Sequence, residues 1–264
     1  MTGQAAPALT KWYVDCVDAA GRSAIVYWSA LSWRGIQISA QNLALHEPGM
    51  PARYWGGFSR ASEPEIRGGD LAWRPGALDW SLEGRALGGP FGMRLLERDE
   101  GAVDWQCEAC PLRLDVTLPG GRTLSGLGYA ERLTLGLAPW ALPIDELRWG
   151  RWIAGTGERS MVWIDWRGSH PLTVTFVDGS LKTPGSVGDD RIVAGGCALT
   201  LSNQRLLHHR AVRDVVGDAG PLTRLLPEAW LDVQDRKWMS LGTLETAGAP
   251  PATGWAIHEI VRFP

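Results

Sequence analysis

Tyr13-Val14-Asp15 and Trp163-Ile164-Asp165 are the stretches on which the reading of this chain turns. Each is an aromatic residue, a branched aliphatic residue and an aspartate. Each runs into a glycine turn, at Gly21 and Gly168, and then into a second apolar segment, 25–28 in the first copy and 172–176 in the second. Residues two apart on a β-strand share a face, so each copy sets a ring beside a carboxylate on one surface. Two such hairpins, far apart in the chain, predict two similar β-rich halves. A ring beside a carboxyl has two uses. The commoner one is structural, with a buried aspartate tied to backbone amides. The other is chemical: the carboxyl protonates an unsaturated carbon and the ring stabilises the resulting cation.

Outward from these hairpins, short apolar segments recur between Gly and Pro turns. Segments 12–17 and 23–28 flank Ala19-Ala20-Gly21-Arg22, and 71–73 and 78–82 flank Arg74-Pro75-Gly76. Segments 91–96 and 103–106 flank an acidic turn ending at Gly101, and 112–118 turns at Pro119-Gly120-Gly121 towards 128–135. Further strands are predicted at 33–40, 55–58, 148–153, 161–166, 171–178, 192–201, 208–215 and 255–263, the last suited to shutting a barrel. Pro139 and Pro143 interrupt the pattern, 143–147 reads as one helical turn, and 222–230 has helical character. No βαβ alternation and no long amphipathic helix occurs. The expected fold is all-β, two antiparallel β-barrel halves packed together, 1–138 and 139–264.

With 264 residues, 45% of them hydrophobic, the chain can bury a sizeable core. A net charge of -3 and the absence of any Lys/Arg run argue against a nucleic-acid partner. Residues 1–10 have neither a basic nor an apolar signal region, and no apolar stretch is long enough to span a membrane, so a cytoplasmic protein is expected. The four cysteines do not form a disulfide scaffold at this length. Cys107-x-x-Cys110 lacks a second pair at ligand spacing, which Cys16 and Cys197 do not supply. His46, His170 and His258 stand alone, and the adjacent His208 and His209 face opposite sides of a strand. No metal and no cofactor are expected. There is no G-x-S-x-G elbow and no P-loop, and Gly126-Leu127-Gly128 and Gly155-Thr156-Gly157 lack the rest of a dinucleotide fingerprint. The unusual count is 15 Trp against 4 Phe and 4 Tyr. Most of these indoles fill cores, but Trp also makes a good wall for an apolar ligand.

Gly128-Tyr129-Ala130-Glu131-Arg132, Arg148-Trp149-Gly150-Arg151-Trp152 and Val162-Trp163-Ile164-Asp165 resemble segments of the carotenoid 1,2-hydratase / hydroxyneurosporene synthase-like group. Trp12-Tyr13-Val14-Asp15 resembles its opening strand and Gly254 to Glu259 its last one. The resemblance spans most of the chain and implies two lipocalin-like barrel halves, a fold related to tocopherol cyclases and lipocalin-type Diels-Alderases. Against that group's Gly-Tyr-x-Asp-His-x-Trp-Gly motif, Tyr129 matches the Tyr and Glu131 the Asp, while Arg132 and Thr134 replace the His and the Trp. That departure bears on water addition to a carotenoid more than on the fold. The group's later aromatic-x-Asp matches Trp163 and Asp165, which makes Asp165 the expected main proton donor.

The residues themselves carry part of this. On a strand Tyr129, Glu131 and Leu133 share a face, and Arg132 points to the other. A carboxyl in a Trp-lined pocket is biased to its neutral form, whereas Glu131 paired with a core arginine such as Arg151 would stay ionised. The expected site has Asp165 and Glu131 as catalytic carboxyls, with Tyr129, Trp163, Trp149, Trp152, Tyr13 and Asp15 against the substrate. Tyr129, Glu131, Trp163 and Asp165 are expected to line one pocket between the halves. The expected function is a lyase- or isomerase-type enzyme. It would hydrate, isomerise or cyclise an apolar, unsaturated, terpenoid or polyketide-like molecule. The alternative is a lipocalin-like carrier that holds a hydrophobic ligand without chemistry.

Overall fold

The computed structural model describes residues 7–33, 35–58, 62–76, 78–183, 185–216 and 227–264. It divides into two compact units, Met1–Ala141 and Leu142–Pro264. Both are antiparallel β-structures, so the all-β class is what the chain adopts. Among the described residues no helix is long and apolar enough to cross a membrane.

The first unit holds β1 (Ala8–Val17), β2 (Ser23–Trp33), β3 (Ile36–His46), β4 (Arg53–Phe58), β5 (Glu65–Arg67), β6 (Asp70–Trp73), β7 (Ser81–Ala86), β8 (Phe91–Arg98), β9 (Gly101–Thr117) and β10 (Thr123–Leu135). Their order in the sheet is β4-β3-β2-β1-β10-β9-β7-β6-β5, with β8 also paired to β9. The even residues Trp12, Val14 and Cys16 of β1 join Leu43 and Leu45 of β3, Leu71 and Trp73 of β6, and Leu112 and Leu114 of β9 in one core. Side chains from strands well separated in the sheet order meet there, so the sheet curls around them. Each such buried Leu contributes on the order of 2 kcal/mol, which is what holds an open antiparallel sheet in this curl.

The second unit repeats the plan with β11 (Glu146–Ala154), β12 (Ser160–Arg167), β13 (Leu172–Val177), β14 (Ser180–Leu181), β15 (Ser186–Val187), β16 (Arg191–Ala194), β17 (Cys197–Ala211), β18 (Gln234–Thr246) and β19 (Ala249–Arg262). Two short helices, α1 (Val212–Val216) and α2 (Glu228–Leu231), precede β18. The order is β14-β13-β12-β11-β19-β18-β17-β16-β15. In both units the first strand pairs with the last, β1 with β10 and β11 with β19. The closing strand at 255–263 is thus a central one, joining early and late strands of its unit.

Several local expectations differ from the structure. Segments 103–106 and 112–118 belong to one strand, β9. Pro111 is tolerated inside it because the register against β10 slips there, between Gly128 and Glu131. The third strand is Ile36–His46, not 33–40; the turn falls later because β2 continues to Trp33. No helical turn forms at 143–147, since Asp145 is tied into the sheet by hydrogen bonds from its N–H to Arg167 O and from Phe263 N–H to its carbonyl. The one short 3-10 turn nearby is Pro139–Ala141. Segment 208–215 is strand only to Ala211. Of 222–230, positions 222–226 lie outside the described residues and Glu228 begins α2. β18 was not expected at all. Its charged residues Asp235, Arg236, Lys237 and Glu245 mask the alternation of Trp238, Ser240, Gly242 and Leu244.

The two aromatic-x-Asp copies are not equivalent. Tyr13-Val14-Asp15 lies on β1, which pairs with the last strand of its unit. Trp163-Ile164-Asp165 lies on β12, one strand further out. Tyr13 and Asp15 turn away from the core that takes Trp12 and Val14, whereas Trp163 is itself part of the second core.

Candidate functional site

In the first unit the register of β1 on β10 sets Tyr13 opposite Glu131 and Asp15 opposite Tyr129. Four of the expected site residues therefore form one two-by-two patch, on the sheet face away from the apolar core. The Tyr13 hydroxyl donates to Asp15 Oδ2 at 2.8 Å and the Tyr129 hydroxyl to Glu131 Oε2 at 2.8 Å. Trp105 Nε1 donates to the same Glu131 oxygen at 2.5 Å. The Tyr13 ring lies 5.2 Å from Tyr27 and 6.2 Å from Tyr129, centroid to centroid. All four residues are buried. Burial, reinforced by the Glu131 carboxyl, pushes the Tyr129 phenol well above its usual range, so it remains an O–H donor. Burial likewise pushes the Cys107 thiol up, with Cys110 and Glu131 adding to it. Arg132 turns the other way, paired with Glu108 at 3.1 Å and set over the Trp12 ring.

In the second unit Trp163 and Asp165 share the core-side face of β12. Gly150 lies opposite Trp163 on β11. A Cβ added at Gly150 would fall 2.2 Å from Trp163 Cζ2, so this glycine makes the room in which the indole lies. Asp165 accepts from Arg167 Nε at 2.9 Å and from the Thr173 hydroxyl at 2.6 Å, one donor on each oxygen. Trp149 and Trp152 point to opposite faces of β11. Trp152 is a core residue whose Nε1 donates to Gly242 O at 3.1 Å. Trp149 carries the Lys237 ammonium over its ring at 5.1 Å, and Lys237 is ion-paired to Glu259.

A cavity of about 200 Å³ opens beside Trp163 within this unit. Trp238 and His258, stacked at 5.5 Å and 17°, form a wall that continues the row of Trp163 and Gly150 across β11, β19 and β18. Arg148, Asp189, Arg236 and Arg262 stand among its lining residues. His258 Nε2 lies 2.8 Å from Ser240 Oγ. Burial, helped by the Lys237 charge and opposed by Asp189, lowers the His258 imidazole to about 4, so it is neutral at ordinary pH. Sequence reasoning missed this wall. His258 reads as an isolated histidine, and Trp238 falls on the strand hidden by its charges. The period-two run Trp238, Ser240, Gly242 was the available signal. Among the described residues no group of three His, Cys, Asp or Glu side chains could hold a metal ion.

No protein-family model and no curated protein sequence matches the chain. Solved structures do. A protein assigned as AttH from Nitrosomonas europaea superposes with a TM-score of 0.57 at 12% identity, over 95% of this chain and 92% of that one. CghA in complex with Sch210972 gives 0.52 at 11%, over 98% and 89%. Kievitone hydratase from Nectria haematococca gives 0.52 at 8%, also over 98% and 89%. At such identities the likeness establishes the fold alone.

Proposed function

We propose that this chain is an enzyme that hydrates, isomerises or cyclises an apolar, unsaturated small molecule of terpenoid or polyketide-like type, with Glu131 and Asp165 as its acid–base carboxyls. The observation that carries the reading is the buried Tyr13, Asp15, Tyr129, Glu131 patch. It sets a carboxyl beside aromatic rings. Glu131 is held by neutral donors, Tyr129 and Trp105, which orient it without supplying a positive charge. A proton passing from the Glu131 carboxyl to an alkene carbon leaves a carbocation. The nearby rings favour that cation by roughly 0.5–2 kcal/mol each. Loss of a proton to a carboxylate, attack by water or closure onto a second double bond then completes isomerisation, hydration or cyclisation. Trp163 and Asp165 set a ring and a carboxylate on one face of β12 in the second unit. A fold neighbour named as a hydratase is in keeping with this class of reaction.

The carrier reading draws on one feature, the engagement of both Asp165 oxygens by Arg167 and Thr173. The two readings separate by turnover. Incubation with a panel of polyenes and prenyl compounds, followed by mass spectrometry, should reveal a product. Glu131→Gln should then lower the rate by about 10²–10⁴ with little change in affinity, the scale of general acid–base catalysis. Asp165→Asn tests the second carboxyl in the same way. Full activity in both variants would refute the acid–base reading. Copurification of an apolar ligand with no turnover would establish the carrier.

A further inference from the structure

The chemistry just proposed for Glu131 does not use the cavity of the second unit. Its walls mix aromatic and apolar side chains, Trp163, Trp238, Ile192 and Leu201, with polar and charged ones, Arg148, Asp189, Gln204 and Arg236 among them. Its volume, about 200 Å³, is slightly more than the roughly 150 Å³ that accepts a benzene ring. One ring or short conjugated chain with a small head group fills it. At its rim the charges are uneven. Arg148 is neutralised by Glu146 and Asp189, and Arg262 shares Glu146 at 3.0 Å. Arg236 meets only the His209 imidazole, 3.2 Å from its Nε, and no carboxylate among the described residues. On β18 and β19 Arg236 pairs with Ile260 and Gln234 with Arg262, which makes the two arginines diagonal neighbours on one face. A second hollow of about 90 Å³, lined by Gln234, Arg236, Trp238, Ile260 and Arg262, continues the cavity past them.

We infer that this cavity binds a small planar carboxylate, an aromatic or conjugated acid whose ring lies against the row of Trp163, His258 and Trp238 and whose anion is held by Arg236 with Arg262. A guanidinium offers a carboxylate two parallel N–H donors, and Arg236 is the one at this rim not already engaged by a protein carboxylate. A neutral His258 at the wall adds no competing cation. The inference concerns binding and stands whether or not the chain is an enzyme.

trans-Cinnamate and cinnamyl alcohol differ in the anion and keep the conjugated ring, so they are the probes. Calorimetric titration of the full chain should give cinnamate at least about tenfold tighter binding than the alcohol, the equivalent of one charge-assisted contact. Arg236→Gln should remove that preference and leave the alcohol unchanged. Arg236→Lys should restore part of it. Leu201→Trp, which fills the cavity, should abolish binding of both. Should Arg236→Gln not fold, salt decides on the wild-type chain, since cinnamate affinity must fall with rising NaCl and alcohol affinity must not. Equal affinity for the two probes, no binding of cinnamate, an unchanged preference in Arg236→Gln, or wild-type binding in a folded Leu201→Trp variant would each overturn the inference.

Discussion

Lowering the pH from 8 to 5 should remove about 2 kcal/mol of folding stability through His258 alone. In the unfolded chain this imidazole takes a proton near 6.5; in the fold, burial and the Lys237 charge delay it to about 4. The unfolded state therefore binds more protons between these two values. The stability is complete above 6.5 and is lost as the pH falls through the window, reaching a loss of about 3 kcal/mol below 4. At pH 5 the unfolded imidazole is almost fully protonated and the folded one hardly at all, a ratio of about thirty in proton-binding terms, or about 2 kcal/mol. Asp235, held at about 2 by His208 and Lys237, titrates below this range. His208 is also lowered by burial, and it is present in both proteins to be compared. Urea unfolding followed by tryptophan fluorescence, at fixed ionic strength from pH 8 to 5, measures the slope in wild type and in His258→Gln. The variant should be less stable at pH 8, having lost the stack on Trp238, and should lose about 2 kcal/mol less on acidification. Parallel pH profiles in the two proteins would refute the assignment of a buried neutral imidazole.

Gly150→Ala should destabilise by about 1–3 kcal/mol in thermal or urea unfolding, the usual cost of overpacking, because its methyl group would meet Trp163 at 2.2 Å. Gly57→Ala, where an added Cβ meets nothing within 4 Å, is the control and should show no such loss. Trp105→Phe removes the indole donor to buried Glu131 and should cost about 1–3 kcal/mol; an unchanged stability would show the carboxyl to be satisfied otherwise. All four cysteines are free and buried, and Cys107 is pushed well above its usual range, so a thiol reagent at pH 8 should label none in the native protein and all four in urea.

Much of the fold was legible because alternation is a property of consecutive residues. Trp12 to Asp15 and Met161 to Trp166 are short apolar runs, each carrying an aspartate and followed by a glycine turn, and such runs between turns are enough to specify hairpins and an antiparallel all-β class. The same parity put Tyr129 beside Glu131, and Tyr13 beside Asp15, before any coordinates. It failed where charged residues break up a strand's apolar run. In β18 Lys237 is fully buried on one face while Trp238 and Ser240 take the other, so polar and apolar residues no longer sort by exposure.

What the sequence by itself determined was local: which segments extend, where they turn, and which side chains share a face. The tertiary structure alone decided that Tyr13 stands across from Glu131, that Trp163 points into its core while Tyr13 points away from one, and that His258 is a neutral wall of a cavity rather than an isolated histidine. The physical reason is range. Strand parity depends on neighbours two residues away, whereas register between β1 and β10 depends on how whole strands pair across the sheet. A protonation state depends on still more, on every group that displaces water around the imidazole, and those groups come from β11, β18 and the loop that carries Asp189.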